Sequence, residues 1–415
     1  MATLDAQVHE DLARQAAFLW LFRDRAARDH AYDLASLAAL DARLEAHLDG
    51  LRLAGDAGWT ACRDLLAEPE GGEIFGAAVV AMDGWDLKGL ARVLEVGGRA
   101  PDLARGLASA LGWTPLDRVK KLLPGLLSRK VSPALTWIGI TACAVHRSDP
   151  GPPLADALLS KEPRVKARAL RAVGELGRKD LLPEVRDALS STEPTCRFWA
   201  AWTAALLGED SAARVLWEVA QAGGAFAERA VSIAMRRMAP SGGIAWIQSL
   251  AGSCPDRRVP LAAAAALGDP VIVPWLLEQM QSPETARLAG GAFHLITGVD
   301  LEAEKLATRP PEGWKSGPSE DPEDEDVSMD PDGSLPWPDV AGVSDHWRRN
   351  GGRFARGARH LLGKRIEAPW LQEVLSHGRQ PARAAAALEL CVLNKGVLFE
   401  VRAPGYVQKR SLGGR

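Results

Sequence analysis

Apolar residues recur at every third or fourth position along most of this chain, most clearly between residues 160 and 208. This spacing is typical of an amphipathic α-helix, whose apolar positions fall on one face. Within this stretch the pattern occurs twice, because a shift of 31 residues places Pro163 on Pro194 and Gly177 on Gly208. The chain therefore contains an internal repeat made of helical elements.

Each copy of the repeat predicts a pair of helices. A proline begins the first helix, where its missing amide hydrogen costs nothing, and a glycine ends the helix as a C-cap. The predicted first helices are 164–176 and 195–207, and the second helices are 181–189 and 212–220. Helix pairs at this period are the signature of an α-solenoid. We therefore predict an all-α fold, an α-solenoid of helical repeats with a helical C-terminal cap.

Changes in this pattern divide the chain into four predicted segments. They are an N-terminal helical block (1–58), the repeat solenoid (59–307), an acidic, proline-rich loop or disordered insertion (308–345) and the C-terminal cap (346–415). Proline fixes φ and removes an amide donor, so the insertion is not expected to form regular structure. In the cap we predict a helix at 346–362, a short strand at 397–402 and a frayed basic tail after Tyr406.

The net charge of the 415-residue chain is −3, from 53 acidic and 50 basic residues. Such a balanced chain has no global electrostatic reason to bind nucleic acid or a membrane surface. The five cysteines lie far apart without a CxxC pair, which is typical of reduced core cysteines in a cytosolic protein. The N-terminus lacks the features of a signal peptide, and no apolar run reaches the ~20 residues of a membrane span. We expect a soluble, cytoplasmic protein.

The run VKARALRAVGEL, which begins at Val165, is followed by a turn and the run LLPEVRDAL. This sequence resembles a HEAT repeat of the short, phycobilisome-lyase-like kind, whose first helix begins Val-Arg, carries alanine at every third or fourth position and ends Leu-Gly. Lys166 replaces the arginine of that pattern in the first copy, and Cys196 replaces the valine in the second. The resemblance covers roughly residues 60–300 and implies a HEAT-like α-solenoid.

Three other runs carry a second resemblance. They are LDARLEAHLDGLRLAG (40–55), GAFHLITGVDL (291–301) and AALELCVLNKGVLFEVRAPGYVQ (386–408). They are similar to a family of bacterial HEAT-like proteins associated with type VI secretion loci. This resemblance extends over most of the chain and implies an accessory role in such a locus.

The two clear repeats also suggest a binding site. The apolar residues of the first repeat take the buried positions, which predicts that Arg168, Arg171 and Glu175 face outward. The repeat shift puts Trp199 and Trp202 at the positions of the two arginines. Tryptophan and arginine are enriched at interface hot spots, so we predict a partner-binding site here. In the alternative, the tryptophans fill gaps between repeats and the arginines stack on them through cation–π contacts.

Charged residues suggest two further partner-binding elements. Arg236 is a candidate to extend the row of arginines along the repeats. Between Lys315 and Arg348 there are ten acidic residues and no lysine or arginine. A flexible acidic arm could bind a basic partner and speed its capture, whereas a solvating linker is the alternative. The candidate residues at the peak of this run are Glu320, Asp321, Glu323, Asp324, Glu325 and Asp326.

A third group of acids lies near the N-terminus. Asp41, Glu45 and Asp49 are spaced by four residues and therefore share one face of a predicted helix. Three carboxylates in a stripe could bind a cation or a basic partner. A solvated helix face is the interpretation that charge patterns of this kind favour.

No catalytic motif is complete in this sequence. The P-loop-like run at 357–364 has one residue too many and continues with Arg365 instead of serine or threonine. The chain has no HExxH motif, no GxSxG motif and no Cys/His spacing suited to a metal. We therefore predict a protein that is not an enzyme and that uses no cofactor and no metal.

These observations favour a protein-binding solenoid. Its most specific form is an accessory or immunity protein of a type VI secretion locus that binds and neutralises a cognate toxin or effector. The alternative is a HEAT-like nucleic-acid-binding protein or DNA glycosylase-type enzyme, in which the tryptophans and arginines would contact DNA. The net negative charge weighs against nucleic acid as a partner. A chromophore lyase, which repeat analogy alone suggests, is a third possibility.

Overall fold

The structure is a computed structural model that describes residues 2–128, 130–314, 317 and 330–413. The chain divides into two compact units. The first unit comprises Met1–Thr203 and Gly396–Arg415, and the second unit comprises Ala204–Lys395. The division into four segments stays a prediction. The acidic peak of the insertion (Glu320, Asp321, Glu323, Asp324, Glu325 and Asp326) lies outside the described residues.

The described residues form 22 α-helices and four two-residue strands. The helices are α1 (Ala2–Ala26), α2 (Leu34–Leu53), α3 (Asp56–Asp64), α4 (Gly71–Asp83), α5 (Leu87–Gly97), α6 (Pro101–Trp113), α7 (Leu116–Leu126), α8 (Pro133–Val145), α9 (Pro152–Leu158), α10 (Pro163–Leu176), α11 (Leu182–Asp187), α12 (Pro194–Leu207), α13 (Ala213–Ala222), α14 (Ala227–Arg237), α15 (Pro240–Ser253), α16 (Arg258–Leu267), α17 (Val273–Gln279), α18 (Pro283–Thr297), α19 (Val340–Asn350), α20 (Ala368–His377), α21 (Gln380–Asn394) and α22 (Gly405–Gly413). The strands are β1 (Ala307–Thr308), β2 (Trp337–Pro338), β3 (His360–Leu361) and β4 (Lys364–Arg365).

We call the two clear repeats at residues 160–208 the doubled unit. Its first helices begin and end where the sequence predicts. Pro163 begins α10 and Pro194 begins α12. The residues that follow these helices, Gly177 and Gly208, have φ angles of 66° and 98°. This left-handed region is open to glycine, whereas a Cβ atom makes it costly. The predicted second helices are also present, as α11 between two short 3-10 turns and as α13.

Helices of successive repeats stack in both units. In the first unit α4 packs on α6, α6 on α8 and α8 on α10, while α5, α7 and α9 pack against this row. In the second unit α14 packs on α16 and α16 on α18, with α13, α15 and α17 alongside. A single helix pair cannot bury its apolar face, so this stacking forms the core. The prediction of an all-α solenoid of helical repeats is confirmed.

Helix α4 lies at the centre of the core of the first unit. It is apolar on nearly all sides because α1, α2, α3, α5 and α6 all pack against it. The ring of Phe75 lies 5.9 Å from the ring of Trp20 and meets that of Trp113 edge-on at 5.5 Å. Aromatic pairs at these separations add to the burial of apolar area. These contacts anchor the first half of α4 in the core.

The segment that follows α21 returns to the first unit in an extended form and crosses the ends of its helices. The amide of Leu398 donates to the carbonyl oxygen of Glu175 at 3.0 Å. The guanidinium of Arg147 donates to the carbonyl oxygen of Leu398 at 2.6 Å, and that of Arg23 donates to the carbonyl oxygen of Arg402 at 2.6 Å. Arginine side chains and carbonyl groups of helix ends thus hold this segment in place.

Two predictions for the C-terminal residues are wrong. Residues 397–402 form no strand, because their backbone groups bond to helix ends and arginines instead of a neighbouring strand. The tail is not frayed up to residue 413, because it folds into α22. The amide of Gly405 donates to Asp41 at 2.5 Å, and the hydroxyl of Tyr406 donates to the carbonyl oxygen of Trp113 at 2.9 Å.

A hairpin in the second unit also crosses helix ends. The helix predicted at 346–362 is wrong in its second half, since α19 ends early and β3 pairs with β4. The amide of His360 donates to the carbonyl oxygen of Gly268 at 2.8 Å, and that of Leu362 donates to the carbonyl oxygen of Leu295 at 2.6 Å. The last carbonyl groups of α16 and α18 thereby gain donors that the helices themselves lack.

Arg359 strengthens this arrangement. Its guanidinium donates to the carbonyl oxygens of Leu267 and Ala266, both at 3.1 Å, and to that of Arg236 at 3.2 Å. These carbonyl groups belong to the last turns of α16 and α14. The negative end of each helix dipole favours a cation here, so one side chain caps two helices of the repeat row.

The two ends of the proline-rich insertion are ordered, which the sequence did not predict. Strand β1 pairs with β2, and α19 begins within the predicted insertion. The carboxylate of Asp332 accepts hydrogen bonds of 2.6 and 2.9 Å from Arg258, and Asp330 lies 2.7 Å from Arg287. Arg287 also stacks over the ring of Trp337 at 4.8 Å. These ion pairs and cation–π contacts order the ends of the insertion, although these ends contain little regular secondary structure.

All five cysteines are buried and free, as predicted. Burial raises the pKa of the Cys62 thiol to about 12. A thiol in this state is protonated at neutral pH and therefore a poor nucleophile. The cysteines contribute to the core instead of to a reactive centre.

The contact between Gly177 and the returning segment can be tested by comparing Gly177→Ala with Gly151→Ala. Both glycines have positive φ angles, 66° and 69°, so each alanine costs roughly 1 kcal/mol of backbone strain. A Cβ atom at Gly177 would lie 2.9 Å from the carbonyl carbon of Gly396, whereas one at Gly151 meets nothing within 4 Å. Gly177→Ala should therefore lower the free energy of unfolding, measured in urea, clearly more than Gly151→Ala. Equal losses would contradict the close approach.

Candidate functional site

Four of the five residues that were predicted to face outward in the doubled unit are buried. The exposed fractions are 8% for Arg168, 2% for Glu175, 8% for Trp199 and 7% for Trp202. Only the side chain of Arg171 reaches the surface, with 38% exposed. The predicted outward orientation is therefore wrong for Arg168, Glu175 and both tryptophans. A helix of a repeat row has neighbours on more than one side, so α10 cannot keep a wide solvated face.

The arginines and tryptophans do lie together, as the repeat shift predicts. The guanidinium carbon of Arg171 lies 4.8 Å from the ring centroid of Trp199. The rings of Trp199 and Trp202 meet edge-on at 5.3 Å. A Cβ atom at Gly174 would lie 2.6 Å from Thr203 Oγ1, so glycine is what lets α12 approach α10 here. The observed contacts are those of the packing alternative, and binding of a partner by these residues stays a prediction.

A buried carboxylate joins the two arginines. Glu175 accepts hydrogen bonds from Arg168 Nη2 at 3.0 Å and from Arg171 Nε at 2.8 Å. Arg168 Nε donates in addition to Thr141 Oγ1 at 3.1 Å. Burial by itself would raise the pKa of Glu175, but the positive charges of Arg168, Arg171 and Arg147 lower it to about 2. The carboxylate is therefore charged at every physiological pH.

Arg236, the remaining predicted arginine, is also buried, with 8% exposed. Its Nε atom lies 3.1 Å from the carboxylate of Glu389, to which Arg359 also donates. Its Nη1 atom donates to the carbonyl oxygen of Ser232 at 2.6 Å. The expected place in a surface row of arginines is wrong, because an ion pair inside the second unit holds this side chain.

A second candidate site is a cavity of the first unit that lies beside the end of α4 and has a volume of about 1,010 Å³. Helices α2, α3, α4, α7 and α22 and the end of α6 surround it. We call it the α4 cavity. Its apolar lining comes from Ala38, Ala42, Leu51, Val79, Val80 and Ala81. Its aromatic lining comes from Trp59, Trp113 and Tyr406.

One wall of the α4 cavity is a network of ion pairs. Arg52 donates to Asp83 at 2.7 Å and to Glu45 at 2.7 Å, and Arg118 donates to Asp83 at 2.6 Å. The indole nitrogen of Trp113 donates to Glu45 at 2.6 Å. Each carboxylate therefore has at least two donors, which fixes its orientation. A wall of this kind is organised before any ligand arrives.

The sequence contained part of the signal for this cavity. Of the acidic stripe on α2, Glu45 lines the cavity and bonds to Arg52. Asp49 also pairs with Arg52, and Asp41 is buried against Arg23. The solvated-face interpretation is therefore wrong for Asp41. Nothing in the local pattern showed that α22, at the other end of the sequence from α2, would close the cavity.

In the part of the chain that the structure describes, no group of three or more His, Cys, Asp and Glu side chains could hold a metal ion. Over the same residues, no helix combines the length and the apolar character needed to cross a membrane. Two candidate surfaces remain among the described residues: the Arg171 cluster, formed by Arg171, Glu175 and Trp199, and the α4 cavity.

Residues 151–235 match the family model of the HEAT repeats. The matched stretch contains the doubled unit, which confirms that these repeats are HEAT-like. Among solved structures, an engineered protein determined by the Northeast Structural Genomics Consortium is similar at 15% identity. The similarity covers 94% of this chain and 99% of the engineered one, with a TM-score of 0.31, which is too low to support an argument. None of the curated proteins matches the chain significantly.

The buried cluster predicts how stability depends on pH. Glu175→Gln should lower the free energy of unfolding at pH 7 by about 3 kcal/mol, because it leaves Arg168 buried without its counter-charge. The pKa of Glu175 is lowered on folding from 4.5 to about 2. Its ionic contribution is therefore fully present above pH 4.5 and is lost as the pH falls towards 2. The difference between wild type and variant should shrink by about 1.4 kcal/mol per pH unit in that window.

Asp180→Asn serves as the matched control for this measurement. Asp180 forms an exposed ion pair with Arg178 at 2.6 Å, and its side chain is 61% exposed. Exposed pairs contribute less than about 1 kcal/mol. The free energy of unfolding of wild type and of both variants is measured in urea between pH 7 and pH 3.5. A Glu175→Gln effect no larger than that of Asp180→Asn would contradict the buried ion pair.

Proposed function

We propose that this protein is a non-catalytic scaffold that binds another protein through its HEAT-like repeats. The observation that supports this most is the HEAT match at residues 151–235. Helices of successive repeats stack within each of the two units. Stacked helix pairs present an extended surface, because equivalent positions of successive repeats line up. Such a surface recognises a partner by shape and charge and needs no catalytic group.

The more specific proposal is a cytoplasmic accessory or immunity protein of a type VI secretion locus, which binds and neutralises a cognate toxin or effector. Its support is the resemblance of three sequence runs to a family associated with such loci. A second support is the acidic run at residues 320–326. A basic partner, such as a nuclease, would be attracted to this run, because opposite charges accelerate diffusional encounter.

Arg171 is the residue of the doubled unit that we propose to contact the partner. Its guanidinium is fixed between Glu175, at 2.8 Å, and the ring of Trp199, at 4.8 Å, while 38% of the side chain stays exposed. Fixing a side chain in advance lowers the entropy that binding must remove. Arg168, Trp199 and Trp202 would not contact the partner themselves. They would hold the exposed Arg171 side chain in position from inside the fold.

The proposal is tested by co-expressing the full chain with the product of each adjacent gene and measuring complex formation by affinity purification and light scattering. We expect a stable complex with one of these products. Arg171→Ala should weaken that complex about tenfold or more if Arg171 is an interface hot spot. Arg214→Ala is the matched control, because Arg214 is 86% exposed and should change nothing.

Charge capture is tested in the same complex by changing the six acidic residues at 320–326 to their amides. The association rate should fall severalfold at low salt and should become less sensitive to salt, because screening already removes this attraction at high ionic strength. Absence of a complex with every adjacent gene product would contradict the immunity proposal. Salt-dependent retention of DNA by the chain would favour the nucleic-acid alternative instead.

A further inference from the structure

The lining of the α4 cavity combines three properties that together indicate the chemistry of its ligand. It holds more carboxylates than cations, it includes aromatic rings, and it includes aliphatic side chains. The carboxylates are Asp41, Glu45, Asp56, Asp83 and Asp86, and the cations are Arg52, Arg118 and Lys409. The lining therefore carries a formal charge of −2 from five acids and three bases, or −1 when Arg23, the buried partner of Asp41, is counted.

We propose that the α4 cavity binds the cationic side chain of an arginine or lysine that a partner protein inserts into it. This inference rests on the proposed function, because it names the chemistry by which the scaffold holds its partner. The site is distinct from the Arg171 cluster and uses other residues of the first unit.

The surplus negative charge lies on the carboxylates outside the ion-pair wall. Among the described residues, neither Asp56 nor Asp86 forms an ion pair. Asp56 is exposed, and Asp86 accepts a hydrogen bond from the amide of Lys88 at 3.1 Å. The pKa of Tyr406, which lines the same cavity, is raised by burial and by the carboxylates of Glu45, Asp83 and Asp41. A negative potential around a cavity favours entry of a cation.

The aromatic and aliphatic lining residues suit the apolar stem of an arginine or lysine side chain. Arginine and lysine bury their methylene stems along apolar surface while the charged group stays in a polar place. Val79, Val80 and Ala81 supply that apolar surface at the end of α4. Trp59 and Tyr406 supply rings, and an aromatic ring attracts a cation through its π face. Tyr406 is 54% exposed, so a ligand can reach it from solvent.

The size of the cavity and its surroundings favour a protein segment over a lone ion. A volume of about 1,010 Å³ exceeds what one side chain fills and leaves room for neighbouring residues. Trp85 lies between the lining residues Gly84 and Asp86, and its side chain is 42% exposed. Its φ angle of 52° is unusual for a bulky residue, and such strain is found at functional sites. An exposed tryptophan here offers apolar contact to the residues that flank the inserted cation.

The site is tested without any partner by titrating the full chain with N-acetyl-arginine amide. The readout is the set of indole N–H signals in an NMR spectrum of protein labelled with ¹⁵N-tryptophan, with the signal of Trp59 assigned through Trp59→Phe. We expect saturable shifts of the Trp59 signal. N-acetyl-citrulline amide has nearly the same shape without the charge and should shift it at least about fivefold less at equal concentration.

Charge variants complete the test. Asp56→Asn combined with Asp86→Asn should weaken binding of the arginine amide by about three- to tenfold, since exposed ion interactions are individually weak. Asparagine can still cap α5 in place of Asp86, so the fold should be kept. Glu68→Gln combined with Glu304→Gln is the control, because it removes the same two charges from exposed residues outside the cavity lining.

Three results would overturn the inference. One is an equal response to the citrulline and arginine compounds. A second is an unchanged affinity of the double variant. The third is a shift of the Trp59 signal by N-acetyl-glutamate amide instead, which would make this an anion site. Each of these outcomes is independent of complex formation with an adjacent gene product, so this site and the proposed function can fail separately.

Discussion

The return of the C-terminal residues onto the helix ends of the first unit is the contact on which the candidate cavity depends. Gly177 ends α10 in a left-handed conformation, which leaves the carbonyl oxygen of Glu175 free to accept the amide of Leu398. From there the extended segment runs over Arg147 and Arg23 to α22. Helix α22 then brings Tyr406 against Trp113 and completes the cavity wall. A repeat array of short helices thus acquires a concave site through a segment that is not part of any repeat.

Arginine side chains make many of the contacts that hold the helices and the extended segments in one arrangement. Their guanidinium groups join carboxylates and helix-end carbonyl groups that no backbone amide reaches, as Arg359 does at the ends of α14 and α16. The fork of donors on arginine suits this task, whereas the single ammonium group of lysine does not. Arg23, Arg168 and Arg236 are buried, so their charges are neutralised by partners inside the fold. Arg171 differs from Arg168 in this respect, because it keeps both its internal partners and a path to solvent.

Local chemistry explains which parts of the structure were predictable. Proline at helix starts and glycine at helix ends determined α10 and α12 to within a residue, because both residues act through their own backbone. The burial of Arg168 and Glu175 was not predictable from one helix, since α10 packs against α8 and α9 as well as α12. The α4 cavity was not predicted from the sequence for a related reason. Its acidic stripe was visible, but Trp113 and Tyr406 meet only through the return of the chain end.

Hydrogen exchange on the full chain, alone and with an adjacent gene product that co-purifies with it, tests the central claim most directly. If the scaffold holds its partner through the α4 cavity, amide protection should rise in residues 38–59, in residues 79–86 and at the start of α22. Protection of α10 and α12 around Arg171 should rise with it if both surfaces contact the partner. Unchanged exchange throughout the cavity lining in a saturated complex would contradict the account.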